Sequence, residues 1–276
     1  MPEHSYLTAL HEQLVPTREE RAELQASVDR VVQATRRSLP LAEVRPAGSW
    51  AKSTMLRGRQ EADIVAVLAQ APTDATLGEL ARDLDDLPGI RRRPQVRTKA
   101  LNLVFGSGVS IDLLPTVRAG RTPPGPSTPP KLRHANDGIQ HVQWLIGRAH
   151  GTVTHPVIRL AKHLRDCHRH DFHGLSSFAI EVLCVELGLS GSLDHAFRDF
   201  LEHLALGWLD RRPLPDPANP SNDLIAGLSA RGRKDIAGRA ERCLRAVDAD
   251  TWSAVFPRDA AALAPPAGNI GGRTLG

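Results

Sequence analysis

Residues 48–63 read Gly-Ser-Trp-Ala-Lys-Ser-Thr-Met-Leu-Arg-Gly-Arg-Gln-Glu-Ala-Asp, and the apolar run of Ala62 to Ala69, ADIVAVLA, continues from them. The run has the length and composition of a strand. Glu61 and Asp63 alternate with Ala62 at its start, so their side chains project from one face. Two anions held side by side repel and raise each other's pKa. A divalent cation relieves that repulsion, and hard oxygen ligands suit magnesium. Ahead of the pair, Gly48 and Ser49 form a turn where glycine permits close backbone approach. The turn's N–H groups and the Ser49 hydroxyl suit phosphate oxygens, with Lys52, Thr54, Arg57 and Arg59 as further donors. A lone Glu-x-Asp is ordinarily a solvated strand end, and a lone Gly-Ser says almost nothing. Their conjunction with the strand is what carries information.

Downstream, LNLVF (101–105), the turn Gly106-Ser107-Gly108 and VSIDLL (109–114) read as a hairpin of two strands. Asp112 lies inside the second, where a neighbouring strand brings it beside Glu61 and Asp63. Three carboxylates on adjacent strands suit two metal ions: one activates an attacking hydroxyl and one neutralises a triphosphate and its leaving pyrophosphate.

The first forty residues read as a helical run that ends at Pro40, with Leu14, Leu24, Val28, Val31 and Val32 at near-helical spacing. Residues 73–89 carry Leu77, Leu80, Leu84 and Leu87 at helical spacing. A linker rich in Pro, Gly and Ser spans 118–132. Beyond it only helices are expected, at about 141–149, 155–167, 176–187, 193–209 and 233–247, with the proline-rich connection PLPDPANPSND between the last two. The expected organisation is α+β: a first domain over 1–135, a helical domain over 136–260 and a mobile tail over 261–276.

The 276 residues suffice for about two domains, and neither a membrane-spanning run nor a secretory signal stands out. Cys167, Cys184 and Cys243 are too scattered for a disulfide framework, so a reduced cytoplasmic protein is expected. The net charge is +4, and all but five of the 35 basic side chains are arginine. The bias fits phosphate partners or codon composition equally, and the mild net charge argues against a dedicated duplex-binding module.

Gly-Ser, Lys, Thr, Leu-Arg-Gly-Arg and Glu-x-Asp before an apolar strand resemble the nucleotidyltransferases of the DNA polymerase β superfamily. GSWAKSTMLRGRQEADIVAVL is most similar to the signature of the 2′-5′ oligoadenylate synthases, relatives of cyclic GMP–AMP synthase and of the bacterial CD-NTases of antiphage defence. The resemblance implies a polymerase β-like domain with a mixed sheet and a C-terminal helical domain that completes a nucleotide cleft. It implies that Glu61, Asp63 and Asp112 bind two magnesium ions, with manganese as an alternative, and that Asp112 assists deprotonation of the acceptor hydroxyl. Aspartate is commoner than Glu61 in oligoadenylate synthases, whereas cyclic GMP–AMP synthase has glutamate there. By itself Lys162, in HPVIRLAKHLRDCHR, reads as a lysine on a solvated helix face; the resemblance sends it to the triphosphate. In GLSSFAIEVL, Ser177 opens a helix whose free N–H groups suit phosphate. Phe178 reads as core packing by composition and as a base-stacking ring by resemblance. Asp-Pro-x-x-Pro-x-Asn, at 216–222, resembles a late signature of the group that shapes a loop near the cleft.

The implied activity is metal-dependent synthesis of cyclic or linear oligonucleotide messengers from nucleoside triphosphates (NTPs), read by an effector protein, with no membrane partner. The alternatives are transfer of one nucleotide to a tRNA, protein or drug, and a non-catalytic nucleotide-binding module. The cluster Cys167, His168, His170 and His173 lacks the ligand spacing of a zinc site and reads as a histidine-rich loop. Arg91, Arg92, Arg93, Arg97 and Lys99 suit an RNA activator, but a solvated turn is the plainer reading.

Overall fold

The computed structural model describes residues 6–38, 41–68, 73–97, 100–117, 137–149, 153–249 and 252–256. The expected linker at 118–132, the tail at 261–276, Ala69 and Lys99 lie outside the described residues. The helical run expected up to Pro40 is two helices, α1 (Tyr6–Leu14) and α2 (Arg18–Ser38). Pro16 stands in the break, where a missing N–H does no harm. Thr17 and Glu20 then form a capping box: Thr17 Oγ1 accepts from the Glu20 N–H at 3.1 Å, and Glu20 Oε2 accepts from the Thr17 N–H at 2.7 Å.

A strand absent from the sequence reading follows, β1 (Leu41–Ala47), then the short helix α3 (Gly48–Ala51), β2 (Glu61–Leu68), α4 (Asp74–Asp83), β3 (Ile90–Val96), β4 (Leu101–Phe105) and β5 (Ser110–Val117). The five strands form one mixed sheet in the order β1-β2-β5-β4-β3, with β2 and β5 parallel and the other pairs antiparallel. The two strands missed in the sequence, β1 and β3, are its edges. Each carries a proline (Pro46, Pro94) and charged residues, which edge strands tolerate and which mask the alternating pattern. Arg91, Arg92 and Arg93 are therefore strand residues and not a turn.

One face of the sheet is sealed by Ala62, Ile64, Ala66, Ile111 and Leu113 packing on Leu24, Val28 and Val31 of α2 and on Leu77 and Leu80 of α4. The other face carries Val65 and Val67 next to Ala47 and Ile139. Ile139 belongs to α5 (Asp137–Arg148), which approaches so closely that a Cβ on Gly138 would lie 3.0 Å from Val65 Cγ2. The apolar half of β2 is thus covered on both faces, and its acidic start is left beside α3.

The remaining elements are α6 (Thr154–Cys167), α7 (Ser177–Glu186), α8 (Leu193–Ala205), α9 (Trp208–Arg211), the hairpin β6 (Pro215–Asp216) and β7 (Asn219–Asp223), and α10 (Ala230–Ala249). The helix expected over 193–209 breaks at Gly207, whose φ of 73° is left-handed. The proline-rich connection is no plain loop, because residues 215–223 pair as a hairpin. A second core joins Leu145, Val157, Leu160, Ile180, Leu183, Phe197, Phe200 and Ile236, and Leu7 and Leu14 of α1 pack into it. Among the described residues no helix is long and apolar enough to cross a membrane.

The burial of Leu14, with 0% of its surface exposed, makes α1 a strap between the two halves. Leu14→Ala is expected to cost about 2–5 kcal/mol. Urea unfolding measures it, and a loss within error of zero would contradict the docking of α1.

Candidate active site

The parallel register of β2 and β5 sets Asp63 directly opposite Asp112 and Glu61 opposite Ser110. All three acidic residues share the face opposite the α2–α4 core, because Ala62, Ile64, Ile111 and Leu113 take the other. Asn102 of β4, paired with Asp112, donates from Nδ2 to Asp112 Oδ1 at 2.8 Å and to Ser110 Oγ at 2.9 Å. Arg97 Nη1 lies 3.6 Å from Asp112 Oδ2. The sequence reading singles out Arg97 only within a basic group suited to RNA and does not single out Asn102. Asn102 sits in an apolar strand, where only the register reveals its partner.

Gly48 has a φ of +66°, and a Cβ there would lie 1.8 Å from Asp63 Oδ2. Only glycine brings the turn this close to the carboxylate. Three carboxylates on one face offer the hard donors that magnesium takes. Their oxygens are not gathered into a cage: among the described residues no three His, Cys, Asp or Glu side chains stand close enough to hold an ion.

Between α3 and β2 the chain crosses residues 52–60, and α6 holds it by its backbone. His155, Arg159 and Lys162 are spaced by four and three, hence on one helix face. His155 Nε2 meets the Lys52 carbonyl at 3.2 Å, and Arg159 donates to the carbonyls of Ser53 and Met55. Lys162 Nζ donates to the Thr54 carbonyl at 3.1 Å and to Thr54 Oγ1 at 3.0 Å. Ser53 has a φ of 54°, a left-handed conformation that these bonds on either side sustain.

Lys52, Thr54 and Lys162, each expected at the nucleotide, converge on a residue the sequence reading did not single out. Glu181 of α7, 1% exposed, receives Lys162 Nζ on Oε1 at 2.5 Å and Thr54 Oγ1 at 2.5 Å, and Lys52 pairs with Oε2. Burial works to raise the Glu181 pKa, but the two ammonium groups prevail and hold it at about 2. Burial likewise pulls Lys162 below the ordinary lysine range, against the attraction of Glu181. One carboxylate facing two lysines leaves the cluster short of negative charge. Its signal in sequence is faint: Glu181 lies four residues after Ser177 inside the apolar helix SFAIEVLCVE, where a charge needs a partner.

These groups line a cleft of about 240 Å³ with Gly48, Ser49, Arg59, Glu61, Asp63, Arg165, Ser177 and Phe178. Asp112 stands outside that lining. Ser177 is the first helical residue of α7 and not its cap; Ser176 caps it, accepting from the Ala179 N–H at 3.0 Å. Ser177 Oγ accepts from Arg165 Nη1 at 2.8 Å. Asp166 draws Arg59 across from the other half, with Arg59 Nη2 at 2.5 Å. Phe178 is half-buried, with Lys52 Nζ 4.7 Å from its ring centroid. In the histidine-rich segment, Cys167 Sγ lies 3.7 Å from His163 Nε2 and His168 Nε2 meets the Val255 carbonyl at 3.3 Å.

No family model and no curated protein sequence matches the chain. Solved structures do. CdnC of E. coli MS115-1, solved with ATP, superposes with a TM-score of 0.71 at 18% identity, covering 92% of this chain and 95% of that one. The CD-NTase CdnG of Bradyrhizobium diazoefficiens, in complex with GTP, gives 0.67 at 15% identity, over 92% and 96%. The Cid1 poly(U) polymerase bound to MgATP gives 0.68 at 15% identity, over 93% and 97%. The chain has the nucleotidyltransferase fold. Within that fold, the mixed sheet carries the acidic residues and the helices carry Lys162, Ser177 and Phe178.

Glu181→Gln leaves two buried lysines without a countercharge and is expected to cost about 3 kcal/mol in urea unfolding. A loss below about 1 kcal/mol would mean that the lysines do not depend on it. The clamp also predicts an acid sensitivity. Burial, then Arg159 3.1 Å away, lowers the His11 pKa from 6.5 to about 4. The unfolded chain takes up that proton near pH 6.5 and the folded chain only near 4. Stability is therefore lost as pH falls from 6.5 to 4, and His11→Asn is expected to flatten this slope in urea midpoints measured across that window.

Proposed function

We propose that the protein is a metal-dependent nucleotidyltransferase. It takes an NTP in the cleft and transfers the nucleoside monophosphate to the 2′- or 3′-hydroxyl of a second nucleotide, releasing pyrophosphate. The products are cyclic or linear oligonucleotide messengers. The observation that carries this reading is the register of Asp63 on Asp112 beside a Gly48 turn that only glycine can make.

In this reading Glu61, Asp63 and Asp112 hold two magnesium ions, which supply a lowered hydroxyl pKa and neutralise the charge of the triphosphate. Asn102 and Arg97 hold Asp112 by Oδ1 and Oδ2, and its carboxylate assists deprotonation of the acceptor hydroxyl. The Ser49 hydroxyl and the Gly48–Ser49 N–H groups take phosphate oxygens, and Lys52 and Ser177 add donors. Lys162 contributes its charge and Thr54 its hold on Glu181, since their polar hydrogens are already taken. The two lysines arrive pre-positioned by Glu181, so little ordering entropy remains when a triphosphate binds. Phe178 stacks on the base.

CD-NTase neighbours solved with ATP and with GTP support this reading, as does the cyclic dinucleotide synthase CdnE of Elizabethkingia meningoseptica, solved with GTP and Apcpp. A cytoplasmic role in antiphage defence, with an effector that reads the product, belongs to the same proposal and rests on the sequence resemblance. The likeness to Cid1, over the same share of the chain, favours a second reading in which the acceptor is an RNA end.

Purified protein incubated with labelled ATP, GTP, CTP and UTP, each with magnesium or manganese, is expected to form phosphatase-resistant products. Label found only on added RNA would select the second reading. Glu61→Ala, Asp63→Ala and Asp112→Ala are each expected to lower turnover at least about 100-fold with the fold retained. Full activity in any of them would sink the assignment.

A further inference from the structure

Behind Phe178 lies a buried pair that the reaction above does not use. His141 of α5 packs its ring against Phe178, with centroids 4.0 Å apart and planes inclined by 36°. Its Nε2 lies 2.6 Å from Asp216 Oδ1, in the β6–β7 hairpin. Both side chains are nearly closed to solvent, at 15% and 7% exposure. The hairpin arranges the carboxylate beforehand: Oδ1 also accepts from the Ala218 N–H at 2.9 Å, and Oδ2 from Asn222 Nδ2 at 3.3 Å. Asp216 and Asn222 are the two polar ends of the Asp-Pro-x-x-Pro-x-Asn motif, which thus closes on itself around one acceptor. Burial works to raise the Asp216 pKa, but the Ala218 N–H and His141 keep it below the usual carboxylate range. The acceptor is therefore an anion, and His141 Nε2 carries the proton between them.

The torsions that turn the Phe and His rings are soft and do not fix their planes unaided. Here Phe178 is held by His141 as well as by Lys52, and His141 is held by a carboxylate that a separate hairpin fixes. An apolar residue would fill the space behind Phe178 without burying a charge. A hydrogen-bonded imidazole adds a fixed orientation, as a carboxylate does for a metal-bound histidine.

We propose that Asp216 and His141 are positioning residues for the nucleobase: together they set the plane of Phe178, and through it the hairpin governs affinity for the base of the NTP but not for its phosphates. This rests on the nucleotidyltransferase reading.

Affinities for a non-hydrolysable ATP analogue and for inorganic triphosphate, measured by calorimetry on the full chain, test it. His141→Ala is expected to weaken the ATP analogue about ten-fold, the scale of one base–aromatic contact, and to leave triphosphate within about two-fold. His141→Phe keeps a ring behind Phe178 but loses the bond to Asp216, and is expected to regain only a small part of the loss. Asp216→Asn keeps the shape but not the charge and is expected to fall between. In turnover, the KM for the NTP rises while kcat holds. Equal losses for both ligands, or none for the analogue, overturn the proposal. If the wild type binds the analogue normally and His141→Ala matches it, the positioning role alone fails. A wild type that binds neither ligand removes the nucleotidyltransferase reading and this one with it.

Discussion

Everything around the cleft depends on one buried carboxylate. Glu181 holds two lysines and a threonine that come from different parts of the chain, Lys52 and Thr54 from the segment after α3 and Lys162 from α6. A lone buried lysine would shed its proton or its position. With Glu181 ionised between them, both keep a countercharge inside the protein. The arrangement joins the two halves at the cleft, so the halves cannot shift without separating buried charges. The same cluster explains why Glu181 interrupts the apolar run from Phe178 to Val185.

The sheet solves a different problem. An acidic pair at the start of a strand is stable in water, but a third carboxylate opposite it needs help. Asn102 and Arg97 give Asp112 a hydrogen bond and a nearby cation, while Asp63 faces a glycine turn that leaves room for its oxygen. Glu61 and Asp63 line the cleft, and Asp112 stands outside its lining.

Much of this was legible in residue order. The apolar run after Asp63, the hairpin around Gly106 and the long helices of the second half follow from periodicity, because each buries a face whose pattern is local. The edge strands β1 and β3 escaped notice, since edges are allowed the prolines and arginines that break the pattern. The break at Pro16 was hidden by apolar residues of near-helical spacing on both sides, although Thr17 and Glu20 carry a capping signature. Within the cleft, Gly48, Ser49, Lys52, Thr54, Lys162, Ser177 and Phe178 are all among its lining residues. Ser177 opens α7 as the spacing implies, and Ser176 before it is the cap.

The sequence by itself determined the alternation of Glu61 and Asp63, the glycine turn ahead of them and the helix that carries Lys162, because these are short-range matters of backbone and period. Only the tertiary structure decided which groups meet. Asp112 faces Asp63 because β2 and β5 pair in parallel at one register among many. Glu181 meets Lys52, and Asp216 meets His141, at sequence separations of 129 and 75. Contacts of that span are settled by packing of whole elements, and no local pattern encodes the partner of a buried charge.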